Sequence, residues 1–210
     1  MTPELDSATV FVVDDDEGVC QSLRWLFESV SLKTETFTNA KGFLEAYEEE
    51  RPGCLVLDIR MPGMSGLALQ ELLQQRGITL PVVIITGHGD IPMAVRAMKV
   101  GAVDFIQKPY NPQQLLETVQ HAINMDLDRR REHATQQDLA ERFEQLSPRE
   151  RQVAELVCRG LPNRRISEEL EVSPKTVEVH RARVMEKMQA KTAADLLRTV
   201  LSVEPYSGKP

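Results

Sequence analysis

Residues 10–18 read VFVVDDDEG: four apolar side chains run straight into Asp14, Asp15, Asp16 and Glu17. Like charges at the tip of an apolar segment repel one another, so the fold gains little from this cluster unless something positive sits there. The apolar run itself has the length and β-branched character of a strand buried on both faces. Further strand candidates follow at 33–37 (KTETF), 54–57 (CLVL), 81–86 (PVVIIT) and 103–106 (VDFI). Stretches with helical periodicity lie between and after them, at 17–30, 40–50, 66–76, 91–99 and 112–123. This alternation predicts a five-stranded parallel sheet, doubly wound, with helices on both faces.

In an open parallel sheet, ligands bind beyond the carboxyl ends of the strands. Asp14 and Asp15 end the first strand, and Asp58 ends the third within LVLDIRMPGMSG. Thr86 ends the fourth within VVIITGHGD, and Lys108 follows the fifth within DFIQKP. One rim is thus expected to carry three carboxylates, a hydroxyl and an ammonium. Close carboxylates raise one another's pKa unless a cation intervenes. Hard oxygen donors with room for water suit Mg²⁺, or Mn²⁺. Such a cation beside an ammonium and a hydroxyl can handle a phosphoryl group. Asp58 stands alone at its strand end, and can accept phosphate as an acyl phosphate while Asp14 and Asp15 hold the metal.

The set of Asp14 and Asp15, Asp58 with DIRMPGMSG, Thr86, and Lys108 with Pro109 resembles the receiver domain of bacterial two-component response regulators, over residues 8–123. The resemblance implies a flavodoxin-like fold and a sensor histidine kinase as phosphate donor to Asp58. It also implies that the backbone carbonyl of Arg60 completes the metal site. It further implies a switch, in which Thr86 swings toward the phosphoryl group and Phe105 turns inward; the place of Phe105 in an apolar strand fits a static core residue as well. Arg60 and His88 flank the site by position. They are expected to tune the lifetime of the acyl phosphate by ordering or excluding water.

The remaining sequence has a different character. Residues 1–124 carry 9 Lys and Arg against 17 Asp and Glu, whereas residues 147–203 carry 11 against 8. An acidic module followed by a mildly basic one points to two different partners. No apolar stretch approaches the roughly 20 residues that span a bilayer, so no membrane partner is expected. The acidic start MTPELDSAT lacks the apolar core of a signal peptide. Cys20, Cys54 and Cys158 are widely spaced, which argues against a zinc site or a disulfide framework and fits a cytoplasmic protein. Residues 125–146 are charged and lack Gly and Pro, so a helical linker is expected there; Arg129–Arg131 could bind nucleic acid, but a solvated linker face is the expectation.

Residues 147–203 are helical throughout, with breaks at Gly160–Pro162, Val172–Pro174 and Ala190–Thr192. Ser147 and Ser173 each precede a Pro, and Ser147 has Glu150 three residues on, the spacing of a capping box. Four short helices of this size match a helix-turn-helix unit. The stretch LPNRRISEELEVSPKTVEVHRARVMEKM resembles the LuxR-type DNA-binding domain, and the whole chain resembles the FixJ-type branch of response regulators. In the helix from Pro174, a rotation of about 100° per residue puts Val177, Val184 and Met188 on one face. Lys175, Glu178, Val179, Ala182, Arg183 and Glu186 point the other way. Val179 and Ala182 are suited to thymine methyls, and Glu178 to a cytosine amino group. Arg183, Thr176, Lys175, Lys191, Arg164 and Arg165 are expected at phosphates.

The expected organisation is therefore a receiver at 1–124, a helical linker at 125–146, a four-helix DNA-binding domain at 147–203 and a disordered tail at 204–210. The expected function is transcription regulation, with activation favoured by the resemblance. Its expected partners are promoter DNA, a sensor histidine kinase, RNA polymerase and, once phosphorylated, a second copy of the chain. The receiver's fourth-helix side is the expected dimer surface. Two other readings fit parts of the pattern: a Mg²⁺-dependent phosphohydrolase with an aspartyl nucleophile, and an adaptor whose helices bind protein.

Overall fold

The computed structural model describes residues 7–87 and 91–202. The chain divides between Arg130 and Arg131 into two compact units. The first is built on a sheet of β1 (Thr9–Val13), β2 (Lys33–Phe37), β3 (Gly53–Asp58), β4 (Val82–Thr86) and β5 (Asp104–Gln107). The strand order is β2-β1-β3-β4-β5, and every pairing is parallel. Its helices are α1 (Glu17–Glu28), α2 (Ala40–Ala46), α3 (Gly66–Gln75), α4 (Ile91–Lys99) and α5 (Pro112–Glu144). This is the doubly wound, flavodoxin-like receiver arrangement expected from the sequence.

The sheet is covered on both sides. Val10 and Val12 of β1 join Val56, Val83 and Ile85 under α1 and α5, where Leu23, Phe27, Leu115 and Val119 are buried. Phe11 and Val13 point to the other face, with Leu55, Leu57 and Ile84, against α2, α3 and α4. Alternating side chains that are apolar on both faces explain why β1, β3 and β4 read as unbroken apolar runs.

Helix α5 runs without a break from Pro112 to Glu144. The arginines expected on a solvated linker face divide. Arg131 is exposed, but Arg129 and Arg130 are half-buried and bonded to the first unit. The reason is a buried acid in the preceding turn, Asp126, which both arginines compensate.

The second unit packs Leu139 and Phe143 of α5 with α6 (Pro148–Cys158), α7 (Asn163–Glu169), α8 (Pro174–Lys187) and α9 (Ala193–Ser202) around one core. The capping box is present. Ser147 Oγ accepts from Glu150 N, and the Glu150 carboxylate accepts from Ser147 N. Ser173 caps α8 by accepting from Thr176 N. The tail expected at 204–210 lies outside the described residues.

Candidate functional site

The sheet register assembles the rim. Val13 pairs with Leu57, so Asp14 leaves β1 beside Asp58, the last residue of β3. Thr86 pairs with Gln107, so Lys108 follows one residue past the end of the sheet. Lys108 N donates to Thr86 O at 2.8 Å. The Lys108 ammonium then reaches inward to Asp14 Oδ2 at 2.6 Å and Asp58 Oδ1 at 3.0 Å. The other oxygens are held by backbone: Asp14 Oδ1 accepts from Asp16 N at 3.0 Å, and Asp58 Oδ2 accepts from Arg60 N at 2.6 Å.

The four acids of the opening stretch have separate tasks. Asp16 caps α1 by accepting from Gly18 N and Val19 N. Glu17 lies in the first helical turn, where negative charge complements the helix dipole. Asp15 is exposed. Only Asp14 is buried. Burial pushes its carboxyl above the ordinary value despite the hydrogen bonds from Lys108 and Asp16, and nearby Asp58 adds to the rise. Burial draws Lys108 down, but hydrogen bonds to Asp14 and Asp58 outweigh it and hold the ammonium above its ordinary value.

The structure brings together Asp14, Asp58, Lys108 and the backbone of Arg60 and Thr86. Asp15 is exposed and lines a cleft beside Ile59 and Arg60. Among the described residues, no three acidic, histidine or cysteine side chains are placed to hold a metal ion between them. Thr86 is buried at the end of β4. Phe105 is half-buried against the α2–α4 side of the core. The Arg60 side chain is exposed and lines, with Asp15, Met61, Met93 and Arg96, a cleft of about 610 Å³. His88 lies outside the described residues.

In the second unit, α7 and α8 form the helix-turn-helix pair. The turn between them includes Glu171, which adopts φ +52°. Val177, Val184 and Met188 are buried, while Lys175, Glu178, Val179, Ala182, Arg183 and Glu186 are exposed, as the helical geometry predicts. Thr176 is half-buried, and its hydroxyl lies 2.8 Å from Ser173 Oγ. Arg164 and Arg165 are exposed and both pair with Glu168; Lys175 pairs with Glu178 at 2.9 Å. Lys191 is exposed beyond α8. Arg181 turns aside, donating to Asn163 Oδ1 at 3.2 Å.

Residues 10–120 match the response regulator receiver domain. The chain belongs to the response-regulator family. Residues 144–200 match the bacterial regulatory proteins of the luxR family. The chain is 47% identical to nodulation protein W of Bradyrhizobium diazoefficiens over 91% of its own length and 84% of that protein's. It is 42% identical to the transcriptional regulatory protein FixJ of the same species, over 91% and 94%. Among solved structures, the response regulator StyR superposes with a TM-score of 0.87 at 46% identity, covering 92% of this chain and 98% of that one. Full-length FixJ from B. japonicum superposes with a TM-score of 0.58 at 41% identity, over 93% and 96%.

This response regulator therefore couples a receiver to a LuxR-type helix-turn-helix, and it is a phosphorylation-regulated DNA-binding protein. A kinase and DNA are the partners these domains imply. Among the described residues, no helix is long and apolar enough to cross a membrane. Sequence reasoning missed the contacts that brace α8 and the turn before it. Lys187 bonds Glu150 Oε2 at 2.7 Å and Gln145 O at 3.0 Å, tying α8 to the start of α6. Arg149 donates to Leu170 O, at the turn before α8. The partners here are mostly backbone carbonyls, which leave no residue pattern.

Proposed function

We propose that Asp58 is the phosphoacceptor of this response regulator, and that its phosphorylation by a sensor histidine kinase raises occupancy of promoter DNA. One observation carries the reading: the Lys108 ammonium bridges Asp58 and Asp14 at the open end of the sheet. The attacking oxygen comes from the Asp58 carboxylate. A P–O bond forms to it as the donor's P–N bond breaks, and the donor imidazole leaves. Lys108 neutralises charge on the incoming group, and the Arg60 amide fixes the orientation of the carboxylate.

The donor set fits Mg²⁺ or Mn²⁺. It offers oxygen atoms alone, two of its carboxylates are buried beside one ammonium, and magnesium commonly takes one or two carboxylates with water completing its shell. Asp14, Asp58, the Arg60 carbonyl and, at the surface, Asp15 would hold it. The bound ion would supply charge neutralisation at the phosphoryl oxygens.

Thr86 and Phe105 are the switch pair, positioned at the end of β4 and within β5. Arg60 and His88 set the lifetime of the acyl phosphate. On α4, Ile91 is 81% exposed and Val95 and Met98 are each 47% exposed, an apolar row at helical spacing suited to a two-fold dimer contact. Dimerisation doubles the number of phosphates engaged and selects paired half-sites. Val179, Ala182 and Glu178 read bases, while Arg183, Lys175, Thr176, Arg164, Arg165 and Lys191 hold phosphates. The regulator acts as an activator through RNA polymerase. The domain limits are 1–124, 125–146 and 147–203.

The test uses acetyl phosphate with Mg²⁺, mass analysis, and DNA selected by the phosphorylated protein from a random-sequence pool. The expected result is one phosphoryl group on the unaltered protein, none on Asp58→Ala, and tighter DNA binding only in the former. Labelling that persists in Asp58→Ala overturns the reading.

A further inference from the structure

A second cleft of the receiver lies at the amino ends of β4 and β5, opposite the rim that holds Asp58. The helices that flank it both end beside it. α3 closes on Gly77 at φ +73°, with Ile78 N donating back to Leu73 O at 3.0 Å. α4 closes on Gly101 at φ +98°, with Ala102 N donating back to Ala97 O at 3.0 Å. These are left-handed glycine caps, and each turns the chain abruptly toward the next strand. The space left beside the two caps measures about 380 Å³, within the range of roughly 300–1,000 Å³ usual for small-molecule pockets. Its walls include Leu73, Ile78, Leu80, Val100, Val103 and Met125. Leu73 and Leu80 are buried, whereas Met125 of α5 is 46% exposed, so the apolar lining runs from the core to the surface.

Gln70 of α3 also lines this cleft, and it is 3% exposed. Its Nε2 donates to Ala97 O at 3.0 Å. That bond sets the amide, because reversing it would face two carbonyl oxygens against each other. Oε1 is therefore the remaining polar end. It is buried, and among the described residues no donor is bonded to it. A buried acceptor without a donor is destabilising, and a ligand that supplies the donor recovers the loss.

Charge narrows the ligand further. The charged side chain of the lining is Arg129, which donates to Thr79 O and to Asp126 Oδ1. Asp126 also pairs with Arg130, so two arginines share one carboxylate and an ammonium ion would be repelled. The carboxyl ends of α3 and α4 present the negative ends of their dipoles, which disfavours a carboxylate.

We propose that this cleft binds a neutral, largely apolar small molecule carrying one hydroxyl or N–H group, which donates to Gln70 Oε1. The volume gives room for about a dozen non-hydrogen atoms at roughly 30 Å³ each. The site shares no residue with the phosphoacceptor rim, and the inference does not rest on the reading of Asp58.

The experiment titrates the full, isotope-labelled chain with 1-indanol and with 1-indanone, followed by NMR. The two probes share one bicyclic frame, but the alcohol can donate a hydrogen bond and the ketone can only accept. The expected result is saturable shifts at the Leu73, Ile78 and Val103 methyls, with the alcohol bound at least fivefold more tightly than the ketone. Gln70→Leu keeps the volume and removes the acceptor, so it should bind both probes alike. Val100→Trp fills the cleft from a half-buried wall and should abolish binding of both. The inference is overturned if neither probe gives saturable shifts at these residues, or if the unaltered protein binds both equally. It is equally overturned if the preference for the alcohol survives in Gln70→Leu. Should Gln70→Leu fail to fold, Val100→Trp decides: lost binding in a folded variant supports the site, and unchanged affinity for the alcohol removes it.

Discussion

The Lys108 ammonium lies 2.6 Å from Asp14 Oδ2, closer than to any oxygen of Asp58, and it is the bridge between two buried carboxylates. Breaking a buried charge cluster by removing one member leaves uncompensated charge. Lys108→Met should therefore destabilise the receiver by about 3 kcal/mol in the absence of divalent ions. Added Mg²⁺ should restore much of that, because a ligand that binds only the folded state stabilises it by mass action. Urea unfolding with and without Mg²⁺ checks this: the increment from Mg²⁺ should be larger in the variant than in the unaltered protein. Equal increments would mean that the ion does not act on these carboxylates.

Gly66 opens α3 against the backbone of Asp58. A Cβ placed there would lie 2.1 Å from the Asp58 carbonyl oxygen, a backbone atom that cannot step aside alone. Gly66→Ala should cost about 1–3 kcal/mol, as overpacking usually does, and should slow phosphorylation by acetyl phosphate because Asp58 moves with its backbone. Gly63 supplies the contrast. It has φ +78°, with nothing within 4 Å of its missing Cβ. Gly63→Ala should cost about 1–2 kcal/mol of left-handed strain while the phosphorylation rate holds. Thermal melts and labelling time courses of the two variants separate the effects.

The sheet was legible because TVFVV, CLVL and VVIIT can be buried on both faces only within a helix-covered parallel sheet. The rim was legible because strand ends in such a sheet converge on one edge. What the pattern could not tell was which neighbour turns inward. Asp14 and Asp15 are alike in sequence and adjacent, yet only Asp14 is buried, while Asp15 is exposed. The Asp126 network was illegible for a different reason. An acid in the run DLDRRR reads as solvated charge; Asp126 accepts from the Gly53 amide and from Arg129 and Arg130, and those arginines are held in turn by the carbonyls of residues 49, 50, 51 and 79, which carry no signature of residue type.

Glu150 and Lys187 give the second unit a pH dependence. Glu150 is buried, and hydrogen bonds from Lys187 and the Ser147 amide hold its carboxyl down at about 2, against 4.5 ordinarily. A carboxylate whose pKa is depressed by folding lends stability above its ordinary value and loses it as the pH falls through the folded value. The melting temperature of the second unit should therefore fall between pH 4.5 and pH 2. Glu150→Gln should flatten that part of the curve and lower stability at pH 7 by about 1 kcal/mol, since Lys187 loses its carboxylate but keeps the Gln145 carbonyl and part of its solvent. A variant as steep as the unaltered protein below pH 4.5 would assign the acid sensitivity elsewhere.

The exposed face of α8 separates two kinds of DNA recognition that salt can tell apart. Arg183 is exposed among apolar and acidic neighbours, and the proposed reading assigns it to a phosphate. Each phosphate left without its cation lowers the slope of log affinity against log salt by about one unit. Arg183→Ala should thus weaken binding to all DNA sequences similarly and lower the slope by about one. Val179 is 43% exposed on the same face and carries no charge. Val179→Ala should leave the slope unchanged but relax sequence preference at one base pair, with a discrimination loss of about 1 kcal/mol if a thymine methyl is its partner. Titrations over a range of salt, on selected and scrambled DNA, read both quantities. If Val179→Ala changed the slope and Arg183→Ala changed the sequence preference, α8 would lie in the groove in another orientation, with the opposite edge toward the bases.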